Sequence, residues 1–467
     1  MNGRMALPAL KTVELPDFGM PEAAPEIPAT VYETRITAAR LRMVDRGFDR
    51  LIVYADREHS ANLAYLTGFD PRFEEALLIL DKDSEPAILV GNECFGLAGS
   101  VPVPLRRHLF QDFSLPGQPR GDSATLDEVF VSEGVGPGRR VGVIGWKNYD
   151  DRRTVEIPAF IVDTLRQLVG VGGAVENAAP LMIDAADGLR VVNEVEQLAA
   201  FEYAACQTSN GVKQLLFGLK PGMSERQAVR LLDWNGTPLS CHLMLSSGER
   251  ASLGLVSPSD RTIERGDQFT VAFGVWGALN CRAGFVVEDA GELPEAIRDY
   301  VDRLVVPYFA AVADWYAALR IGVTGSDIQA IVDRRLGDPF FGVSLNPGHQ
   351  IHLDEWVNSP IFNGSTIQLR SGMALQCDII PATGTEYFTT NIEDGVALAD
   401  EALRNELARE FPAAWTRIER RRAFMRDVIG IDLDPAVLPL SNIPAYLPPF
   451  LLRPDRVMTV CARDTIN

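Results

Sequence analysis

Apolar positions along the chain follow two rhythms, and the changes between them divide it. Over residues 34–46, Ile36, Leu41 and Met43 recur at helical spacing, and Gly47 stops the run. Residues 49–54 (DRLIVY), Ala76–Leu80, Ala87–Val90 and Arg140–Ile144 (RVGVI) are short, almost continuous apolar runs of strand length. Asp81, Lys82, Asp83 and Ser84 supply turn chemistry between the second and third. Residues 157–169 return to helical spacing. Helices alternating with apolar strands predict an α/β layer over 31–185, preceded by an arm, 1–30, whose prolines prevent regular helix.

A boundary falls near Gly188. Beyond it Asn193 is placed to cap a helix, with Glu196 three residues on, and Val195, Leu198, Ala205, Val212 and Leu216 form its apolar stripe. Pro221 and Gly222 end that run, and Ser224 with Gln227 predicts a second capped helix. Residues 241–287 read as strands, with turns at Ser247-Gly248 and Arg265-Gly266-Asp267. A long helix is expected over 294–319, kinked at Pro307. Thr324 caps another, and 341–399 return to strands. The stretch 186–400 therefore reads as a second domain. Residues 401–467 read as a helix followed by a proline-rich extension containing Pro444, Pro448 and Pro449.

Composition narrows the class. The chain of 467 residues carries 44 basic and 63 acidic side chains, a formal net charge of −19. An acidic surface repels phosphate backbones and anionic lipid, so neither nucleic acid nor a membrane surface is expected as a partner. No run approaches the roughly 18 to 20 apolar residues that span a bilayer, and the N-terminus lacks a basic-then-apolar pattern, so no signal peptide is expected. Six scattered cysteines (Cys94, Cys206, Cys241, Cys281, Cys377, Cys461) without a CxxC pair read as reduced, mostly buried thiols of a cytoplasmic protein.

Several motifs then fall in one order. They are Asn62 to Phe69 (NLAYLTGF), Leu189-Arg190 followed by Asn193 to Glu196 (NEVE), and Lys220 to Glu225 (KPGMSE). Arg265-Gly266-Asp267, Pro347-Gly348-His349, Ser371-Gly372-Met373 and Asn391 to Asp394 (NIED) follow. Together they resemble the creatinase, prolidase and aminopeptidase P superfamily. The resemblance implies an α+β protein, with an N-terminal α/β domain and a C-terminal pita-bread domain of curved antiparallel sheet and outer helices. It also implies a homodimer.

In metal-dependent relatives, two aspartates, one histidine and two glutamates hold two divalent ions that activate a bridging hydroxide. Position by position, the resemblance places the aspartates at Ala272 and Ala283, the histidine at His349 and the glutamates at Asp378 and Glu393. A methyl group cannot bind a metal, so a two-ion site is not expected and no cofactor is required. One ion held by His349, Asp378 and Glu393 stays open. In metal-free relatives of the creatinase type the resemblance implies a shuttling histidine near Leu255 and a glutamate at Phe285, and this chain has neither there.

The candidate catalytic residues are therefore His349, Asp378 and Glu393, with Arg72, Arg282, His352 and Trp356 as candidate substrate contacts. Arg282 beside Ala283 could replace a metal's charge and suit an anionic ligand, and Arg72 could anchor a ligand carboxylate across a dimer interface. Each has a plainer reading: a structural histidine, a solvated arginine, a core tryptophan. Three functions follow as expectations. The first is a metal-independent hydrolase or lyase of a small nitrogen-containing acid. The second is a catalytically inactive pseudoenzyme that binds a ligand. The third is a one-metal peptidase acting next to proline. The first predicts a polar, enclosed cavity lined by His349, Asp378, Glu393 and Arg282, and the second a cavity filled by Phe285, Leu255 and Trp356.

Overall fold

A computed structural model describes residues 8–460. Cys461 and the outermost residues of the arm and the extension lie outside the described residues. The chain divides into two compact units, Glu26–Val191 and a second made of Met1–Pro25 with Val192–Asn467. The arm's Pro8–Thr12 (β1) is not a free tail but a strand of the second unit.

The unit Glu26–Val191 is built on a six-stranded sheet. Its strands are Arg50–Ala55 (β2), Ala76–Leu80 (β3), Ala87–Val90 (β4), Arg106–Leu109 (β5), Arg140–Ile144 (β6) and Ala174–Asn177 (β7), in the order β5-β4-β3-β2-β6-β7. β2 runs antiparallel to β3 and parallel to β6. β2, β3 and β4 are buried almost throughout, which is why they read as unbroken apolar runs. β5 and β7 escape a hydrophobic reading because they are the two edges of the sheet, and RRHL and AVEN carry few apolar side chains. The first helix runs Ala29–Asp45, five residues earlier than its apolar spacing suggests, because the prolines end at Pro28 and nothing after it opposes helix. Asn62 donates to the Gly145 carbonyl at 2.7 Å and accepts from Arg190 at 2.8 Å, and the Tyr65 hydroxyl donates to the Leu189 carbonyl. The NLAYLTGF motif thus fastens the helix Ala61–Thr67 to the end of its own unit. Gly68 closes that helix at φ +74°, a left-handed conformation that glycine adopts without strain.

The second unit holds a seven-stranded antiparallel sheet. Met244–Ser247 (β8), Gln268–Val275 (β9), Ala278–Phe285 (β10), His349–Gln350 (β11), Ala374–Asp378 (β12) and Asn391–Leu398 (β13) lie in the order β11-β12-β13-β10-β9-β8, and Val437–Pro439 (β14) also pairs with β13. Trp276 and Gly277 make the tight turn between β9 and β10. Gly277 sits at φ +97°, and a Cβ there would meet the Phe201 ring at 2.8 Å. The helix Val195–Gly218 buries the predicted stripe. Arg456–Val460 (β15) pairs with β1.

Three expectations change here. Asn193 does not cap its helix. Glu194 holds that position, and the Asn193 amide bonds instead to the Gly372 carbonyl at 2.9 Å. The segment 294–319 is not one kinked helix. A 3₁₀ turn, Glu295–Ile297, and a π-helical turn, Val301–Val305, precede the α-helix Val306–Ala318. Pro307 has no N–H to continue a helix through it, so it stands in the first turn of a new one. The extension is two helices, Glu401–Glu410 and Pro412–Phe424, followed by β14 and β15. Its prolines sit in buried loops rather than in an open tail.

Candidate functional site

Side chains of a strand alternate between the faces of its sheet. In the second unit one face takes Gln268, Thr270 and Ala272 from β9, Leu279 and Cys281 from β10, Asp378 from β12, and Asn391 and Glu393 from β13. These line a cavity of about 700 Å³. The register aligns Met244, Ala272, Cys281, Glu393 and Asp378 as one row across five strands. Ala283 lies one step along, between Thr270 and Asn391. Across from Ala272, therefore, the residue beside Glu393 is a thiol.

His349 enters from β11 and is fully buried. Its Nδ1 lies 3.3 Å from the Gln350 carbonyl, which can only accept, so this nitrogen carries the hydrogen. Nε2 then faces carboxylates: Glu355 Oε1 at 3.2 Å, Glu393 Oε1 at 3.4 Å and Asp378 Oδ2 at 3.8 Å. The indole of Trp356 stacks on the imidazole, with centroids 4.1 Å apart and planes 17° from parallel. The cavity wall is formed by Glu355, Trp356, Asp378 and Glu393, and His349 lies enclosed behind them.

Burial and charge set the protons. Burial pulls the His349 pKa down, but hydrogen bonds to Glu355 and Glu393 and the surrounding negative charge hold it well above its ordinary value. Burial pushes Asp378 up to about 6 against the pull of His349. Glu393 rises well above the carboxylate range, through burial first and then the charge of Asp378. Asp378 Oδ1 is buried and has no hydrogen-bond partner among the described residues.

Glu355 was not foreseen. It lies in the irregular stretch after β11, where no strand register could place it, and its one signal was its position beside Trp356. The other candidates separate. Arg282 does not reach the cavity. Alternation turns it to the opposite face, where Nη2 bonds both oxygens of Asp394 at 3.0 and 2.9 Å and the carbonyls of Tyr446 and Ile443 take further donors. It ties the C-terminal extension to the back of the sheet and has no charge to offer an anionic ligand. His352 is also away from the wall. Its Nδ1 accepts from the Leu353 amide and its ring meets the edge of Phe201, because the chain leaves β11 at once and takes His352 into the helix packing. Arg72 belongs to the other unit and pairs with Asp70 at 3.1 Å. Phe285 packs against Tyr300 and Phe388 rather than filling the cavity, and Leu255 stands at its wall, 71% exposed. Burial raises the thiols of Cys281 and Cys377 far above the reactive range.

Two ions do not fit this donor set. Ala272 and Ala283 offer no ligand, and the thiol between Ala272 and Glu393 is held protonated. One ion fits better: a nitrogen of His349 and carboxylate oxygens of Asp378 and Glu393 lie within 4.8 Å of one another.

No protein-family model matches the chain. A curated relative, an uncharacterized peptidase named YqhT from Bacillus subtilis, is 25% identical over 234 residues, which are 47% of this chain and 63% of that protein. The match thus spans less than two thirds of the relative's length. Solved structures share the fold. The prolidase from Pyrococcus horikoshii OT3 superposes with a TM-score of 0.61 at 15% identity, over 78% of this chain and 95% of its own. An Xaa-Pro dipeptidase from Bacillus anthracis gives 0.59 at 16%, over 79% and 96%. Dipeptidase PepE from Mycobacterium ulcerans gives 0.58 at 20%, over 82% and 95%. The chain has the α+β pita-bread fold of these peptidases.

Proposed function

We propose that this pita-bread protein is a metal-independent hydrolase or lyase that cleaves a C–N bond in a small nitrogen-containing substrate. The observation that carries the reading is the His349 cluster: an imidazole whose Nε2 faces Glu355, Glu393 and Asp378 in the wall of an open cavity. Glu393 and Asp378 touch the substrate. Glu393, kept protonated by burial, gives its proton to the departing nitrogen. His349 behind it restores the proton, and its Nδ1–H to the Gln350 carbonyl holds the ring in the orientation this requires. Asp378 accepts a proton from the attacking water. The enclosed imidazole acts through the carboxylates and does not meet the substrate itself. Phe285 packs against Tyr300 and Phe388 instead of filling the cavity as an inactive protein was expected to have it, which supports this reading. The acid half of the expected substrate loses its support, since Arg282 is committed to Asp394. A homodimer in the cytoplasm is part of the same proposal.

A single ion is the second reading, favoured by the closeness of the three donors. A divalent ion there would polarise a carbonyl and acidify a bound water. The experiment uses protein treated exhaustively with chelator, assayed against amide, amidine and Xaa-Pro substrates. Activity that survives chelation and is lost in Glu393→Gln and His349→Ala supports the proposal. Activity that returns only with added manganese, cobalt or zinc overturns it in favour of the one-ion reading.

A further inference from the structure

The cavity mouth carries a feature that the catalytic reading does not use. One exposed leucine needs no explanation, but a group of large apolar side chains around one opening does. Leu253 is 66% exposed, Leu255 71%, Leu345 54% and Trp356 38%, and all of them line this cavity. Leu253 and Leu255 come from the stretch after β8, and Leu345 and Trp356 flank β11. β8 and β11 are the two ends of the strand order, so these groups meet the cavity from opposite edges of the sheet.

The stretch after β8 is a loop on fixed feet. The fully buried Glu225 carboxylate accepts from the amides of Ser247 and Ser259, each at 2.8 Å, so both ends of the loop are held at one point. Ala251 is buried, and Arg250 donates to the Ser257 carbonyl at 3.0 Å, which extends the fixed part inward. Between them residues 252–255 are exposed. Gly254 bends the tip at φ +71°, and a Cβ there would meet nothing within 4 Å. Compact loops with closed ends are frequently functional. Two bonds tie the tip back. His242 Nε2 donates to the Leu255 carbonyl at 2.8 Å, and the Leu245 amide donates to the Val256 carbonyl at 3.2 Å.

We propose that residues 252–256 form a lid that swings on these feet to close the cavity. Breaking the His242 tie releases it, and Leu253 and Leu255 pass from water to the apolar groups of the opposite edge. Closure over an empty cavity leaves a void whose lining forfeits contacts, so the lid stands open without a ligand. A ligand fills the void and turns the burial of both leucines into a net gain. The lid thereby couples binding to the exclusion of water, whichever reaction the cavity supports.

The test needs no ligand and uses the full-length protein. Leu255→Cys with Leu345→Cys joins the two edges if the lid closes, and mild oxidation with diamide followed by peptide mapping reads the disulfide. The introduced thiols are expected to pair with each other. His242→Ala in the same background should speed that capture about fivefold, the scale of one hydrogen bond. Hydrogen exchange separates a lid from local unfolding. His242→Ala alone should speed exchange at the Leu245 amide and over residues 252–256, and leave the Ser247 and Ser259 amides as slow as in the wild type. Absence of the disulfide overturns the lid. So does capture that His242→Ala does not accelerate, or feet that exchange together with the tip. A protein that captures the disulfide yet cleaves no C–N substrate keeps the lid and sinks the hydrolase, and cleavage without capture does the reverse.

Discussion

The most demanding prediction concerns Arg282, which the sequence offers as a ligand-binding cation and the structure makes a structural one. Its side chain and that of Asp394 are each 1% exposed, and every nitrogen of the guanidinium has a partner. Arg282→Ala leaves the Asp394 carboxylate buried with hydrogen bonds from Asn280, Ser441 and Ala445 but no positive charge. Breaking a buried pair from one side costs about 3–5 kcal/mol. That is a large part of the roughly 5–15 kcal/mol that holds a domain folded. Burial already holds Asp394 above its ordinary pKa despite Arg282, so the variant can take up a proton, which places the loss at the lower end of that range. At about 2–4 °C per kcal/mol, the melting temperature should fall by about 6–12 °C. Tryptophan fluorescence reads the correct unit, because Trp234, Trp276, Trp315, Trp356 and Trp415 lie in it and only Trp146 lies in the other. The paired change Arg282→Met with Asp394→Leu should recover most of the loss, since neither charge is then stranded. Arg265→Ala is the control: that arginine pairs at the surface with Glu288 and Glu292 and should leave the transition in place. If Arg282→Ala melts with the wild type, or loses ligand binding at unchanged stability, the structural assignment is wrong.

Three further outcomes are expected. Asp378 has a folded-state pKa of about 6 against an ordinary 3.8, so the folded protein holds this proton more tightly than the unfolded chain. Its contribution is complete below about pH 4 and is lost as pH rises through about 6. Melting curves from pH 4 to 7 should show that decline in the wild type and a shallower one in Asp378→Asn. Glu225 is fully buried and accepts from the amides of Ser247 and Ser259 at 2.8 Å while pairing with Arg250, so it pins both ends of the segment that carries Leu253 and Leu255. Glu225→Ala should speed hydrogen exchange across residues 248–258 and leave β9 and β10 protected. Gly277→Ala forces a side chain into a left-handed turn against Phe201 and should cost about 1–3 kcal/mol by thermal melting.

Much of the architecture was legible because the elements that matter are periodic. β2, β3, β4 and β6 announced themselves as apolar runs, and the capping pair Ser224–Gln227 and the cap at Thr324 form as expected. Elements set by pairing rather than by composition were not legible. β5 and β7 are edges with few apolar residues, and β1 and β15 have only each other to explain them. At the site, the motif order placed His349, Asp378 and Glu393 together, as the geometry does. What failed was facing. A side chain adjacent in sequence to a cavity residue belongs to the other face of the sheet, so Arg282 beside Cys281 and Asp394 beside Glu393 meet behind it. Glu355 failed for the opposite reason, since it reaches His349 from an irregular loop that has no period to read.

The charge of the cavity follows from which ligands are absent. In metal-dependent relatives, the resemblance implies four carboxylates balanced by two divalent ions. Here β9 and β10 carry Ala272 and Ala283 at those positions, while β12 and β13 carry Asp378 and Glu393, and Glu355 adds a third carboxylate. Three carboxylates against one imidazole still leave an excess of negative charge around buried groups. Burial responds by holding a proton on Glu393 and raising Asp378. Those shifts suit the general acid and general base of the proposed hydrolase. The proposed roles of Glu393 and Asp378 thus have one physical origin: buried carboxylates packed against a single imidazole.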